Sequence, residues 1–265
     1  MAANAPRLSF LFSLVVRIIF EIIVALTIDD APSINAGCFR WKLLDILRKY
    51  HVWRAMLLQI KLFKFMFNVK VTFFIISGHI TTEEHRDLMI QAANDGHFFA
   101  NHMTMDTPSI WFSRDEFKGK LKECQKVVDT YQLSNATQNL DDECGGLLRK
   151  RRGKRREDNI NDMKKSTRKK EKDDPRCKFF RPPSAMQNFT MASVLKELKY
   201  VSVLADAYSG DPAIDDASFH ASYLYDMARP GSILLMHSPE TSNHRIQTIK
   251  VLELLLPRML KAIYM

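Results

Sequence analysis

Several common chemistries are missing from this chain of 265 residues. Its 4 cysteines show no Cys-x-x-Cys spacing, so no cysteine metal or redox motif is indicated, and a chain of this length does not need disulfides to fold. No glycine-rich phosphate loop is present, which argues against nucleotide binding of that type. No Ser-His-Asp arrangement and no internal repeat stands out, so nothing indicates a covalent nucleophile or a repeat array.

The net charge of +9 is concentrated in a single segment. Residues 149–172 contain 13 Lys and Arg against 4 Asp and Glu, so they account for the whole excess. Such runs repel themselves and are disordered, and we interpret this one as part of a basic insert at residues 140–175. The run contains no aromatic residue for base stacking, so no specific nucleic-acid partner is expected. Binding to an anionic surface is the functional alternative to a solvated loop.

Two apolar stretches do not fit a simple domain. Residues 1–21 form an apolar N-terminal segment that begins like a signal peptide, yet no small-residue cleavage site follows. The segment favours membrane contact and a secreted or membrane-associated location only weakly, and the compartment stays open. Residues 53–68 are apolar and cationic, and they are either an amphipathic helix that touches a membrane or an insert without function.

An acidic pair is the most informative feature of the chain. Residues 22–28 are typical of a buried strand, and Asp29 and Asp30 follow directly, before a turn-forming Pro32. Adjacent side chains at a strand end point in different directions, so one carboxylate can hold a metal while the other moves a proton. The alternative is a loop with two solvated aspartates.

A second candidate pair is His102 and Asp106, which are four residues apart. On a helix this spacing places both side chains on one face, and imidazole and carboxylate are normal zinc ligands. Together with one aspartate from the strand end, the pair predicts a three-ligand site with a position left for water. The alternative is a surface pair that only supports a helix.

Two later segments supply further candidates for the same site. Arg181 follows two phenylalanines and precedes Pro182 and Pro183, whose fixed backbone helps to aim it. His237 ends a buried-type strand at residues 232–237, a position that faces the site in α/β proteins. The alternative for His237 is a satisfied histidine of the core or its rim.

Amphipathic segments alternate with these strands, which predicts a parallel α/β sheet or barrel. The segment at 83–93 has Thr81 and Thr82 as candidate caps. The predicted helices span residues 41–51, 83–93, 115–132, 191–199, 219–227 and 246–263.

Taken in order, these motifs resemble the polysaccharide deacetylase family, the group with the NodB-like domain that includes chitin and peptidoglycan deacetylases. The resemblance implies an α/β fold, the family's irregular, incomplete (β/α) barrel, over residues 22–265 with the disordered basic insert. The site would lie at the C-terminal ends of the strands. The matching segments are 27–32 (Thr-Ile-Asp-Asp-Ala-Pro), 71–76, 96–106 (the family's His-x-x-x-His motif), 180–183 (Phe-Arg-Pro-Pro), 203–212 and 233–237 (the Leu-x-His motif).

The chain departs from the family pattern at several positions. Asp106 stands in place of the second metal-binding histidine, which makes the site harder and more anionic and could shift its preference from zinc towards manganese. Ala31 replaces a glycine and restricts the turn after the aspartates. In the fourth motif only Asp211 matches, because Tyr208 and Pro212 stand where the family commonly has aspartate and tryptophan.

The resemblance also implies a role for each candidate residue. Asp29 would be the general base, and Arg181 would pair with it. His237 would be the general acid, and Asp211 would hold or tune one of these groups. The implied metal ligands are Asp30, His102 and Asp106.

The implied activity is the metal-dependent removal of N-acetyl groups from N-acetylglucosamine units, with release of acetate. The expected cofactor is a divalent metal, zinc first, with cobalt or manganese as alternatives, and the expected partner is an acetylated polysaccharide. Two other functions stay open. One is a catalytically inactive member that binds carbohydrate, and the other is a polyanion-binding protein that acts through the basic insert.

Overall fold

The computed structural model describes residues 24–34, 39–57, 69–144, 178–241 and 244–262. Within these ranges, seven strands form one sheet. They are β1 (Ala25–Ala31), β2 (Val71–Ile75), β3 (Phe98–Asn101), β4 (Lys178–Phe180), β5 (Tyr200–Ser202), β6 (Ala207–Tyr208) and β7 (Ile233–His237). Their order is β5-β4-β3-β2-β1-β7-β6, and every neighbouring pair is parallel. The sheet curls into a half-barrel, which confirms the predicted incomplete (β/α) barrel.

Six α-helices accompany the strands in the described ranges. They are α1 (Phe39–Leu57), α2 (Glu83–Asn94), α3 (Arg114–Cys144), α4 (Phe189–Glu197), α5 (Ala217–Met227) and α6 (Thr248–Ala262). All six overlap the predicted helices. Parallel strands need such crossover connections, so the alternation of strand and helix in the sequence carries over directly to the fold.

Two helices extend well beyond their predicted ends. α1 continues past residue 51 to Leu57, and α3 continues past residue 132 to Cys144. Neither extension contains proline or glycine, so nothing local stops the helix. Gly145 and Gly146 follow α3 directly in the sequence, where a helix end is expected.

Part of the sequence-based prediction falls outside the described residues. This applies to the apolar segment 1–21, to residues 58–68 of the first insert and to the whole basic run 149–172. Among the helices that the structure describes, none combines the length and apolar character that crossing a membrane requires.

Two hydrophobic clusters pack against the sheet. β1 lies inside the sheet between β2 and β7 and is buried along nearly its whole length, with Ile28 fully inaccessible to solvent. Leu44 of α1, Leu224 of α5 and Leu252 of α6 pack in the same large cluster. A smaller cluster joins α3 and α4 to the strands at the other end of the sheet, and its members are Met103, Phe117, Leu121, Phe180, Met191, Val194, Leu195 and Tyr200.

The loop after β3 is fixed to the loop after β2 by backbone hydrogen bonds. The His102 amide donates to Ile75 O at 2.9 Å, and the Ser77 amide donates to Met103 O at 3.1 Å. The Gly78 amide donates to Thr104 O at 3.0 Å. A Cβ atom on Gly78 would lie 2.3 Å from that same oxygen, so only glycine permits this approach.

We therefore expect Gly78→Ala to displace the loop after β3 and to lower the free energy of unfolding by about 1–3 kcal/mol. Chemical denaturation measures the effect. The matched control is Gly119→Ala on α3, where an added Cβ meets no atom within 4 Å. That change should stabilise the protein by about 0.5–1 kcal/mol. Equal effects of the two substitutions would contradict the close approach at Gly78.

Candidate active site

The candidate residues gather at the C-terminal edge of the sheet. Asp29 and Asp30 lie near the end of β1, His102 follows β3, Arg181 follows β4, and His237 is the last residue of β7. Because all strands are parallel, these positions lie on one edge, where ligands bind in open α/β sheets. Asp29 and His237 are register partners on adjacent strands.

The structure brings Arg181 and Asp29 together in a buried ion pair. Nη1 of Arg181 donates to Oδ1 of Asp29 at 2.5 Å and to Oγ1 of Thr27 at 2.8 Å. Arg181 is only 1% exposed and Asp29 only 3%. The guanidinium also lies over the ring of Phe74, 4.0 Å from its centroid, a favourable cation–π contact.

Further hydrogen bonds fix Arg181 to the backbone of two other segments. Its Nε donates to Val203 O at 3.1 Å, and its amide donates to Asn101 O at 3.0 Å. Thr27, which accepts from the guanidinium, donates its own hydroxyl to Leu234 O at 2.8 Å. The position of Asp29 relative to the strand ends is therefore set by several independent contacts.

His102 lies between this pair and Asp30. Its Nδ1 is 2.7 Å from Arg181 O, which assigns the Nδ1 proton to that hydrogen bond and turns Nε2 towards the carboxylates. Nε2 is 3.4 Å from Asp30 Oδ1 and 3.8 Å from Asp29 Oδ2. Burial lowers the pKa of His102, but the hydrogen bond with Asp30 and the charge of Asp29 outweigh it and raise the pKa overall.

The pKa of Asp30 is shifted in the opposite direction to that of His102. Burial raises the pKa of this carboxyl, but His102, His237 and Arg245 more than compensate and hold its pKa well below the usual range. Asp30 has a φ of 58°, in the left-handed region that residues other than glycine seldom adopt. The opposite shifts of Asp30 and His102 are those of an ion pair.

The prediction that His102 and Asp106 share a helical face is wrong. Both residues lie in the loop between β3 and the short 3-10 turn Ser109–Trp111. Met103 has a φ of 72°, and its amide donates to the Asn101 side chain, so the backbone leaves helical geometry at once. Asp106 is exposed, and partial desolvation and the charge of Asp30 raise the pKa of its carboxyl.

His237 and Asp211 form a second hydrogen-bonded pair at this edge of the sheet. Nδ1 of His237 is 2.8 Å from Asp211 Oδ1, and the His237 amide donates to Asp211 Oδ2 at 2.8 Å. Asp211 is buried, and the imidazole packs edge-on against Tyr208. Burial lowers the pKa of His237, but the hydrogen bond and charge of Asp211 raise it above the ordinary value. Nε2 is the ring nitrogen that Asp211 does not engage.

One residue of this edge, Arg245, had no counterpart in the sequence analysis. Its Nη1 donates to Asp30 Oδ2, and its Nη2 lies 2.7 Å from Glu240 Oε2. Arg245 belongs to the 3-10 turn His244–Gln247, which follows the last matched motif. The contact joins residues 215 positions apart, and no motif in the sequence signals it.

The donor types present suit a divalent cation, but they are only partly assembled. The carboxylate of Asp30 and the imidazole of His102 are both buried and lie close together, as metal ligands do. Asp106 does not join them: among the described residues, no group of three or more His, Cys, Asp or Glu side chains is placed to hold a metal. Arg245 contacts one oxygen of Asp30 instead.

Comparison with known families agrees with this arrangement. The family model for polysaccharide deacetylase matches residues 66–203, about half of the chain. The chain therefore belongs to the polysaccharide deacetylase family. The matched range includes His102, Asp106 and Arg181, whereas Asp29, Asp30 and His237 lie outside it. A search of curated protein sequences found no significant match.

Solved structures share the fold at low sequence identity. A peptidoglycan N-acetylglucosamine deacetylase in complex with a hydroxamate-type benzamide is 19% identical, with a TM-score of 0.60 over 95% of this chain and 91% of that one. A family 4 acetyl xylan esterase from Clostridium thermocellum with a cobalt ion is 21% identical, with a TM-score of 0.58 over 90% of this chain and 83% of that one.

A third similar structure is a mutant of a family 4 pseudoenzyme, described as having restored enzymatic activity. It is 17% identical, with a TM-score of 0.59 over 91% of this chain, and this chain spans 64% of its length. The wild-type pseudoenzyme, from Bacillus anthracis, is also similar. These likenesses establish the fold of a family 4 carbohydrate esterase, a fold that carries both active and inactive proteins.

The buried ion pair gives a prediction about stability. Arg181→Met leaves Asp29 buried without its cation, which should cost about 3–5 kcal/mol of unfolding free energy. Adding Asp29→Asn should restore part of this loss, because the remaining group is neutral. Arg114→Met is the control, since Arg114 pairs with Glu197 at the surface, and it should cost about 1 kcal/mol or less. Chemical denaturation measures both losses. If Arg181→Met and Arg114→Met lowered the free energy of unfolding equally, the buried ion pair would not be the stabilising contact.

Proposed function

We propose that this protein is a metal-dependent hydrolase that removes N-acetyl groups from N-acetylglucosamine units of a polysaccharide of the chitin or peptidoglycan type. The observation that carries the proposal is that Asp29 and His237 lie side by side on adjacent strands at one edge of the sheet. Each is held by a charged partner, Asp29 by Arg181 and His237 by Asp211. One similar structure is a peptidoglycan N-acetylglucosamine deacetylase, which favours this substrate class.

The proposed metal ligands are Asp30, His102 and Asp106, with zinc as the first candidate and cobalt or manganese as alternatives. When bound, a divalent ion supplies positive charge that polarises the acetamide carbonyl and acidifies water. Family membership supports this cofactor class, and a similar structure holds cobalt. Asp106 would have to approach Asp30 and His102 for this role.

The side chains of this chain supply the proton transfers. Asp29 takes a proton from the attacking water, and Arg181 holds the carboxylate in its orientation through the hydrogen bond from Nη1. The carbon–nitrogen bond then breaks, and His237 gives a proton from Nε2 to the leaving nitrogen. Asp211 fixes the tautomer that this step needs, because it holds Nδ1. The products are acetate and a free amine, and no covalent nucleophile takes part.

One observation favours a second candidate function, that of a carbohydrate-binding member without turnover. Arg245 contacts Asp30, and among the described residues no three His, Cys, Asp or Glu side chains are grouped to hold a metal. A similar structure is a pseudoenzyme. Binding of chitin oligomers without acetate release at any metal concentration would support this candidate.

The first test is acetate release from short chitin oligomers by purified protein. Release should disappear after chelation, return when zinc, cobalt or manganese is added, and fall by about 100-fold or more in Asp29→Asn, since loss of a general base costs that much. Asp226→Asn, an exposed carboxylate on α5, is the matched control and should keep full activity. Activity that survives both chelation and Asp29→Asn would overturn the proposal.

A second test uses the pH dependence. A general acid works only while protonated, so activity falls as the pH rises through the pKa of His237. Because Asp211 raises that pKa, Asp211→Asn should lower it and move the alkaline limb of kcat/KM to lower pH by roughly one unit. Asp226→Asn should leave the limb in place. An unmoved limb in Asp211→Asn would mean that His237 is not the titrating acid.

A further inference from the structure

Arg245 contacts Asp30, which the proposed function makes a metal ligand. Its guanidinium contacts Asp30 Oδ2 on one side and reaches Glu240 Oε2 at 2.7 Å on the other. The three side chains are largely buried, with exposed fractions of 13% for Arg245, 6% for Asp30 and 17% for Glu240. The cation is therefore held inside the site rather than at its rim.

This contact removes part of what a metal needs. A carboxylate that accepts a charged hydrogen bond from a guanidinium in a buried setting is strongly bound. A divalent ion at Asp30 must displace that bond or share the carboxylate with it. A positive charge left in place would also repel the ion, and the repulsion is strong where water is scarce.

Glu240 offers the guanidinium a second acceptor. If Arg245 releases Asp30, it keeps the ion pair with Glu240 and does not become an unpaired buried charge. Without Glu240, release would leave a buried cation with one carboxylate fewer, which is costly. Asp30 and Glu240 thus both contact the guanidinium, and of these two only Asp30 is a proposed metal ligand.

We propose that Arg245 is an internal cation that competes with a divalent metal for Asp30, and that Glu240 receives the guanidinium when the metal binds. The inference rests on the proposed metal site, but it concerns affinity and not turnover. It makes Arg245 and Glu240 determinants of metal occupancy, with Arg245 as a positioning residue that acts through Asp30. The chain would then be active only where free metal is abundant enough to win the exchange.

The test measures metal binding directly on the full chain. Zn²⁺ is titrated in competition with a chromophoric chelator, and Co²⁺ is followed by its visible absorption. Arg245→Gln should bind both ions more tightly, by about tenfold or more, because a competing charge is gone. Arg258→Gln is the matched control on α6, where Arg258 contacts Ser222 and the Tyr225 ring, and it should not change affinity. Equal or weaker binding in Arg245→Gln would overturn the competition.

A second variant keeps the proposal testable if Arg245→Gln folds poorly. Glu240→Gln removes the negative charge of the alternative partner, so it should weaken metal binding when Arg245 is present. The same change in an Arg245→Gln background should cost clearly less. An equal loss in both backgrounds would show that Glu240 acts only as a distant charge, and the exchange would be refuted.

The outcome is separable from that of the proposed function. Tighter metal binding in Arg245→Gln without acetate release would support the competition and count against the deacetylase. Acetate release from the wild-type protein with unchanged affinity in Arg245→Gln would do the reverse.

Discussion

The buried pair of Arg181 and Asp29 is the constraint on which the rest of the site depends. Two charges removed from water cost several kcal/mol each, and the cost is recovered only with good geometry and further hydrogen bonds. Arg181 meets this condition through Thr27, Val203 O and the ring of Phe74. Because Thr27 is itself bonded to Leu234 O on β7, the network spans the sheet from β4 to β7. A shift of the end of β4 relative to β1 would separate Arg181 from Asp29 and leave a buried charge unpaired.

The carboxylates Asp29 and Asp30 already have partners in the site, and this affects how an ion would bind. Arg181 forms an ion pair with Asp29, and Arg245 forms ion pairs with Asp30 and Glu240. His102 lies between the two aspartates. An incoming divalent cation therefore meets carboxylates that already have partners. To bind at Asp30, it must displace the guanidinium of Arg245 or share the carboxylate with it, and either lowers its net affinity. Under the proposed competition, metal occupancy depends on Arg245 as well as on the ligands.

The sequence predicted the parallel sheet from local patterns, and the family resemblance added the incomplete barrel. Strand and helix alternation set the parallel sheet, and the ends of parallel strands meet at one edge, so Asp29 and His237 were expected together. The helix assigned to His102 and Asp106 failed because distant backbone groups of β2 hold that loop, and spacing alone carries no trace of them. Arg245 was missed for the same reason: its partner Asp30 is far away in sequence, and no motif surrounds it.

The proposed proton-transfer groups and the proposed metal ligands are supported in different ways. Asp29 and His237 sit on adjacent strands, and each has a buried partner with charge-assisted hydrogen bonds. Asp106 sits in a loop, exposed, at the position where the sequence departs from the family pattern. A sheet edge tolerates little change because it is shared by several strands, whereas a loop can drift. Loss or weakening of the metal site can therefore precede any change in the proton-transfer groups, and the same fold can carry both active enzymes and pseudoenzymes. Under the competition proposed for Arg245, metal affinity at Asp30 is the property that separates the two cases in this chain.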